Sequence, residues 1–447
     1  MLDNAIFWLG YKLKRPGVLS YYEIFKKSQF LPFEVLQEKQ VKQLRRLITY
    51  AYHNVPYYTR LFDDIGLKPD DIISIRDLEK LPILTKQIIK SNWQDLIPKN
   101  IVQMKYVNGS TGGSTGEPLK YRMSVEDYER GIALLYRGWS YGGYKLGDKI
   151  AFIAGTSLIP KAGSAIRKKI QDYMLNRRSY SSFGMNEVAL LNYVENMNKF
   201  KPGFIRGYAS SLYILAEFVK TKGIELKFQP QAIFSTAEKL LDNQRKVIEE
   251  VFKTSVFDNY GLNDGGVSAY ECEYHNGMHI DMERSILEVV DKDGKQIVGK
   301  PGRILATSLY NYALPFIRYD TGDIGIMIYD KCHCKRELPL LKELIGRATD
   351  ILVLNGKMIG SPVLTVLFGK VDIKQYQIIQ NSERSIICRI VRGPTYSDKD
   401  EKFIRESFFR HVGNIEITFD YMPSILADKG EKHRFIINRQ GENNDEL

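Results

Sequence analysis

Between Phe33 and Val55 apolar residues fall on one stripe: Val41, Leu44, Ile48 and Ala51 recur a helical turn apart. The pattern predicts an amphipathic helix, which Pro56-Tyr-Tyr58 ends. A helical segment near Asp77-Leu-Glu-Lys-Leu81 precedes a turn at Pro82-Ile-Leu-Thr-Lys86. Residues 124–141 predict another helix, and Asp148-Lys-Ile-Ala-Phe-Ile153 a buried strand. Strands and helices then alternate. Phe204-Ile-Arg-Gly-Tyr208 predicts a strand, 210–222 an apolar helix, Ala232-Ile-Phe-Ser235 a strand, 242–252 a helix and Val256-Phe-Asp258 a strand. Such alternation points to an α/β sheet that binds ligands at the carboxyl ends of its strands.

The pattern changes twice more. From 278 to about 345 short strands and turns dominate, including Ser285-Ile-Leu-Glu-Val-Val290 and Gly302-Arg-Ile-Leu-Ala306, and predict a β-rich subdomain. Beyond Gly346 the apolar runs Tyr376–Ile379, Ser385–Cys388, Ile415–Phe419 and Arg434–Ile437 predict strands, with two helices, the longer near 399–411. The expected organisation is therefore a large N-terminal α/β domain, 1–346, followed by a small α+β cap, 347–447.

Composition narrows the function classes. A chain of 447 residues exceeds one simple core and suggests two or three domains. Its 44% hydrophobic and 26% charged residues are those of a soluble globular protein. The apolar run Ala5-Ile-Phe-Trp-Leu9 is too short for a membrane span and lacks a signal-peptide layout, so a cytoplasmic protein is expected. The net charge of +11 is scattered over small clusters such as Arg167-Lys-Lys169 and Arg177-Arg178. No recognition helix or RNA-binding signature accompanies it, so nucleic acid is not expected as a partner.

Four cysteines do not make a disulfide scaffold in a chain of this size. Cys272 and His275 form a Cys-x-x-His pair, and Cys332-His-Cys334 follows. Three thiolates and an imidazole would close a structural zinc site, with His279 and His333 as competing ligands. The alternative is unconnected thiols. Cys388, within Ile386-Ile-Cys-Arg-Ile390, reads as a core strand residue.

The densest chemical signal is Asn108-Gly-Ser-Thr-Gly-Gly-Ser-Thr-Gly-Glu-Pro118, with four glycines and four hydroxyl residues before the extended run Leu119-Lys-Tyr-Arg122. Glycine lets successive N–H groups turn inward on an anion, and the hydroxyls add donors. No Gly-Lys-Ser/Thr ends the loop, so it is not a Walker A loop; a flexible linker has the same composition. Three further stretches carry chemistry. In Asn259-Tyr-Gly-Leu-Asn-Asp264 an aromatic beside a glycine can stack a base and a carboxylate can hold a metal. Phe316-Ile-Arg-Tyr-Asp-Thr-Gly-Asp323 reads as a turn whose two carboxylates could chelate a ribose diol, and Leu344-Ile-Gly-Arg-Ala-Thr-Asp350 as a polar turn where the small domain begins. Taken singly, each is equally a hairpin turn with solvated charges.

In order and spacing these motifs resemble the adenylate-forming enzymes, within them the phenylacetate–CoA ligase-like branch that includes CapK-type capsular polysaccharide biosynthesis proteins. The resemblance covers nearly the whole chain. Val55-Pro-Tyr-Tyr58 and Leu81-Pro-Ile-Leu-Thr-Lys86 look like the N-terminal signature of the branch, and Thr111-Gly-Gly-Ser-Thr-Gly-Glu-Pro118 like its Ser-Ser-Gly-Thr-Thr-Gly-Lys-Pro loop. Phe234-Ser-Thr-Ala-Glu-Lys239 resembles the adenine-side segment.

The resemblance implies a mobile cap on a large α/β domain and a reaction in two halves. A carboxylate attacks the α-phosphate of Mg·ATP, and coenzyme A or another thiol then displaces AMP. It also implies roles. Ser110, Thr111, Gly112, Gly113, Ser114, Thr115 and Gly116 would hold the phosphates, and Asn259, Tyr260 and Gly261 would face adenine with Ala237 and Glu238 on the same wall. Asp323 would take the ribose hydroxyls with Arg347, and Asp264 would bind Mg²⁺. Lys432, in Lys429-Gly-Glu-Lys-His-Arg434, would swing onto the carboxylate and α-phosphate, with Asp350 as the hinge. Lys432, Asp264 and Thr111 are thus the catalytic candidates. Pocket walls are expected from Tyr136–Tyr141, Ala154–Ser157 and Tyr208–Ser211, where Tyr136, Trp139 and Tyr141 suit either an aryl acid or a core.

Two positions depart from the family pattern: Asn263-Asp264 where it has Ser/Thr-Glu, and Glu117 where its loop has Lys. The readings left open are transfer to CoA, transfer to a non-thiol acceptor in surface-polysaccharide assembly, and a nucleotide-binding protein that has lost turnover. A homodimer is compatible with all three.

Overall fold

The computed structural model describes residues 2–110, 119–154, 165–182, 185, 187–347, 351–360, 364, 367–368, 371–423, 425 and 436–438. The helices used below are α1 (Leu2–Lys14), α2 (Pro16–Ser28), α3 (Phe33–Asn54), α4 (Pro56–Asp64), α5 (Lys86–Ser91), α6 (Val125–Ser140), α7 (Ala165–Met174), α8 (Glu187–Phe200), α9 (Ala209–Thr221), α10 (Asp242–Phe252) and α11 (Asp398–Val412). The strands are β1 (Tyr106–Ser110), β2 (Lys120–Ser124), β3 (Ile150–Ala154), β4 (Arg177–Ser181), β5 (Phe204–Tyr208), β6 (Ala232–Thr236), β7 (Val256–Gly261), β8 (Ser268–Glu271), β9 (Met278–Ile280) and β10 (Ser285–Val290). They continue with β11 (Gly302–Ser308), β12 (Tyr319–Ile328), β13 (Leu340–Arg347), β14 (Ile351–Leu354), β15 (Lys357–Gly360), β16 (Ile373–Ser382), β17 (Ser385–Arg392), β18 (Glu416–Tyr421) and β19 (Ile436–Asn438).

Of the predicted stripe of α3, Leu44, Ile48 and Ala51 are buried, joined by Leu36 and Leu47, while Val41 is only half-buried. Pro56 cannot continue that helix and instead opens α4, where its missing N–H costs nothing. One compact unit is built from residues 1–110, 120–321 and 325–343, the other from 344–447 with 111–119 and 322–324.

The first unit holds an eleven-stranded sheet in the order β10-β11-β12-β13-β9-β8-β7-β6-β5-β3-β4. Strands β4, β3, β5, β6 and β7 run parallel, as the alternating pattern requires. Their alternate residues face two separate cores. Ile153, Ile205 and Ile233 join Leu190, Leu212 and Ile248 of α8, α9 and α10. Phe152, Phe204 and Phe234 join Phe7, Phe25 and Trp139 of α1, α2 and α6 on the opposite face. Strands buried on both faces read as continuous apolar runs, which is why these were visible in the sequence.

The predicted β-rich span, 278–345, holds β9 to β13, and β8, β9 and β13 join it to the parallel sheet in antiparallel fashion. Two sequence expectations are corrected. Leu344–Arg347 is the end of strand β13, not the start of a polar turn. Tyr319–Asp323 opens the ten-residue strand β12, so only Phe316–Arg318 lies outside regular structure.

Buried ion pairs lock α6 to the segment before β10. Arg284 makes a bidentate pair with Asp127 at 3.0 and 2.7 Å, and Arg137 binds Asp281 and Glu283. Arg318 is buried as well, donating to Glu288, the Leu81 carbonyl and the Gly294 carbonyl. These guanidiniums are scaffold, held where one unpaired charge would be costly.

The second unit has a four-stranded sheet in the order β18-β17-β16-β19 and a hairpin of β14 and β15. Its core gathers Ile378, Ile390, Ile404, Phe408 and Cys388, so the reading of Cys388 as a core strand residue holds. No helix among the described residues is long and apolar enough to cross a membrane.

Candidate active site

Parallel register brings two of the predicted walls together. Thr236 of β6 stands beside Asn259 of β7, so Ala237-Glu238 and Tyr260-Gly261 flank the same carboxyl edge of the sheet. That edge is where open α/β sheets place ligands. Ala237 has φ of 64°, a left-handed backbone that a side chain rarely adopts and that concentrates at functional sites. The Glu238 carboxylate accepts the Ser210 N–H at 2.9 Å and so caps the first turn of α9. Asn259 and Tyr260 are buried.

Asp264 follows in a tight turn. Its Oδ2 accepts the Tyr319 phenol at 2.8 Å, and both side chains are buried. Gly265 is required beside it, because a Cβ there would meet Ala306 Cβ at 2.7 Å. Tyr121 of β2 lies against the same turn. Its phenol is pushed up to about 12 by burial and by the Asp264 charge, which an Asn263 hydrogen bond partly offsets. β1 and β2 pair with Ser110 opposite Lys120. The base of the glycine-rich loop and the candidate metal-binding carboxylate thus share one neighbourhood.

Other candidates are placed less fully. Asp323 lies on β12, and Arg347 ends the neighbouring strand β13. Asp320, the second carboxylate of that motif, pairs with Arg303. Thr111, Gly112, Gly113, Ser114, Thr115, Gly116, Asp350 and Lys432 lie outside the described residues. Tyr136 and Trp139 belong to the core: the Tyr136 hydroxyl is 2.7 Å from that of Tyr11, and Trp139 stacks on Phe234. Tyr141 is buried beneath the Arg336 guanidinium. A cleft of about 790 Å³ along α3 is lined by Lys42, Arg45 and Arg46 among others, and none of the predicted site residues line it.

The metal-ligand expectation also changes. Cys272, Cys332 and Cys334 do converge, but the imidazole among them is His279. His275 turns back through a left-handed backbone, φ 48°, and its Nδ1 sits 3.1 Å from Glu271. Burial, with the Arg336 charge, pushes the His279 imidazole down to about 4, so it is neutral. Sequence reasoning did not find Tyr319 or Tyr121 as partners of the Asp264 turn. Tyr319 lay within a singled-out motif, but only strand pairing shows where its hydroxyl goes.

The fold, with these groups at the carboxyl edge of a parallel sheet, is one shared with solved CoA ligases. A solved 2-hydroxyisobutyryl-CoA ligase, in the postadenylation state in complex with R3-HIB-AMP, has the same fold: TM-score 0.72 at 18% identity, over 93% of this chain and 92% of that one. In sequence the chain is similar to Protein CapK of Staphylococcus aureus, 28% identical over 447 residues, spanning 95% of this chain and 94% of that protein. It is also similar to a phenylacetate-coenzyme A ligase of Thermus thermophilus, 26% identical over 397 residues, spanning 86% and 84%. Residues 351–439 match the CapK C-terminal domain. The chain is thus similar in sequence to CapK and the phenylacetate-coenzyme A ligases, and it shares the fold of the solved CoA ligase.

Proposed function

We propose that this protein activates a carboxylic acid with ATP as an acyl-adenylate and then transfers the acyl group to coenzyme A. The observation that carries the reading is the joint placement of Asp264, its Tyr319 partner and the base of the glycine-rich loop, in a chain homologous to CoA ligases. In the first half-reaction a carboxylate oxygen bonds to the α-phosphorus and the bond to pyrophosphate breaks. In the second, the thiol sulfur bonds to the acyl carbon and AMP leaves with the electron pair.

An anion approaching a polyanion makes the barrier largely electrostatic, so preorganised donors matter most. Loop N–H and hydroxyl groups from Ser110 to Gly116 would grip the phosphates. Ala237, Glu238, Asn259, Tyr260 and Gly261 would form the adenine wall, and Asp323 with Arg347 would hold the ribose. Asp264, a buried carboxylate oriented by Tyr319, would hold Mg²⁺, and the ion would neutralise phosphate charge. Lys432 would bring a mobile positive charge to the α-phosphate, and Asp350 would be the hinge that withdraws it. Use of ATP and coenzyme A would suit a cytoplasmic enzyme.

The test is ATP–pyrophosphate exchange against aryl, fatty and sugar-derived carboxylic acids. Exchange with one class, lost in Lys432→Ala, is the expected result. Absence of exchange in a protein that still binds ATP would sink the proposal and favour a nucleotide-binding role without turnover. A second reading concerns the acceptor alone, a sugar or amine of surface-polysaccharide assembly, and rests on the resemblance to CapK-type proteins noted in the sequence. Acyl transfer that proceeds without CoA would decide for it.

A further inference from the structure

Away from the nucleotide site, two turns and one strand bring four ligand atoms together. One atom each from Cys272, His279, Cys332 and Cys334 lies within 4.8 Å of the other three. The Sγ atoms of Cys272 and Cys332 are 3.7 Å apart, and Cys334 Sγ is 3.1 Å from His279 Nε2. All three cysteines are free thiols rather than disulfide partners. A tetrahedral centre with zinc–sulfur bonds of about 2.3 Å has sulfur–sulfur edges of about 3.8 Å. The Cys272–Cys332 separation meets that edge.

The backbone around the cluster repeats one device. The carbonyl of Cys272 accepts the His275 N–H at 3.0 Å, and the carbonyl of Cys332 accepts the Lys335 N–H at 3.1 Å. His275 and Lys335, each three residues after its cysteine, both take left-handed backbones, φ 48° and 64°. The third element is β9. It lies between β8 and β13, with His279 opposite Tyr270 on one side and Leu340 on the other. That register sets His279 between the two cysteine-bearing turns.

Surroundings fit a metal as well as the ligands do. Cys272 and His279 are fully buried, and Tyr141 and Tyr270 pack against the thiols. Three thiolates and one neutral imidazole around Zn²⁺ leave a net charge of about −1. Arg336 lies beside Cys334 and stacks 3.9 Å over Tyr141, which supplies the balancing cation. Soft sulfur ligands select zinc over magnesium or calcium. Four protein ligands leave no open position, so the ion would tie chain segments together and take no part in adenylation.

We propose that Cys272, His279, Cys332 and Cys334 hold one structural zinc ion that staples the β8–β9 turn to the segment between β12 and β13. The test uses the full chain purified under reducing conditions, with metal content measured by inductively coupled plasma mass spectrometry. The expected result is about one zinc per chain, falling at least tenfold in Cys334→Ser and His279→Ala and unchanged in His275→Ala. Because a buried variant can fail to fold, wild-type protein stripped of metal and kept reduced is titrated with zinc as a second measurement. Uptake of a single equivalent that raises the melting temperature by several degrees supports the site. Wild-type protein that is folded, reduced and takes up no zinc overturns it. So does zinc that survives in both ligand variants, or that is lost in His275→Ala but kept in His279→Ala.

Discussion

Tyr319 on β12 donates its phenolic hydrogen to Asp264, 2.8 Å away, across a turn that only glycine at position 265 allows. The motif around Asp264 and the motif around Tyr319 are 55 residues apart in the chain, and this one hydrogen bond joins them. Removing either end should therefore separate orientation from charge.

Tyr319→Phe should keep the carboxylate but lose its donor. We expect a loss of about 1 kcal/mol in stability and a higher Mg²⁺ concentration for half-maximal pyrophosphate exchange. Asp264→Asn keeps an acceptor for Tyr319 but removes the charge, and should lower exchange on the order of a hundredfold with the fold intact. An Asp264→Asn protein as active as wild type would remove this residue from the metal-binding role.

Asp127 and Arg284 form a bidentate pair with almost no solvent access. Asp127→Ala should strand the guanidinium and cost about 3–5 kcal/mol, read as a lower urea midpoint. A shift below about 1 kcal/mol would mean that water reaches the vacated site.

Asp258 gives a pH signature. Its carboxyl is pushed up from 3.8 to about 7, first by burial and then by the Glu271 charge, against the pull of Arg245. Between pH 4 and 7 the folded chain holds a proton that the unfolded chain has released. This group's contribution to stability therefore falls as pH rises through that window and levels off above it. The slope should reach about 1 kcal/mol per pH unit and flatten in Asp258→Asn, measured by denaturant midpoints at pH 5, 6 and 7.

Glu117 offers a gain-of-function test. Its carboxylate puts a negative charge in the loop proposed to grip phosphates, where the related loops carry lysine. Glu117→Lys should lower the KM for ATP a few-fold without changing the preferred acid. An unchanged KM would place residue 117 outside the phosphate field.

Much of the first unit was legible because its sheet is buried on both faces. Ala232-Ile-Phe234 and Val256-Phe257 are short apolar runs in such strands, and α10 matches its expected span, Asp242–Phe252. The strand β4 was not legible, since Arg177-Arg178 reads as a basic surface cluster. Arg177 is in fact buried, paired with Asp172 at 2.7 Å and set over the Phe152 ring. The end of β13 was missed for a related reason: its polar residues and Gly346 look like a turn unless the neighbouring strands are known.

The sequence grouped Cys272, Cys332 and Cys334 with His275, whereas the structure brings His279 to the three thiols. Cys-x-x-His is a local spacing, and His275 satisfies it. Which imidazole reaches the thiols depends on β9 lying between β8 and β13, and strand order leaves no local trace.

Among the described residues β1 and β2 pair with each other and not with the eleven-stranded sheet, and Ser110 faces Lys120 on either side of the glycine-rich sequence. A sequence bracketed by its own two-stranded ladder is a cartridge. Its sequence can be exchanged with that of a relative, or lengthened, while the register of the large sheet stays as it is. Change in whatever this loop binds is thereby uncoupled from change in the core, and the same uncoupling makes the loop the natural place to graft.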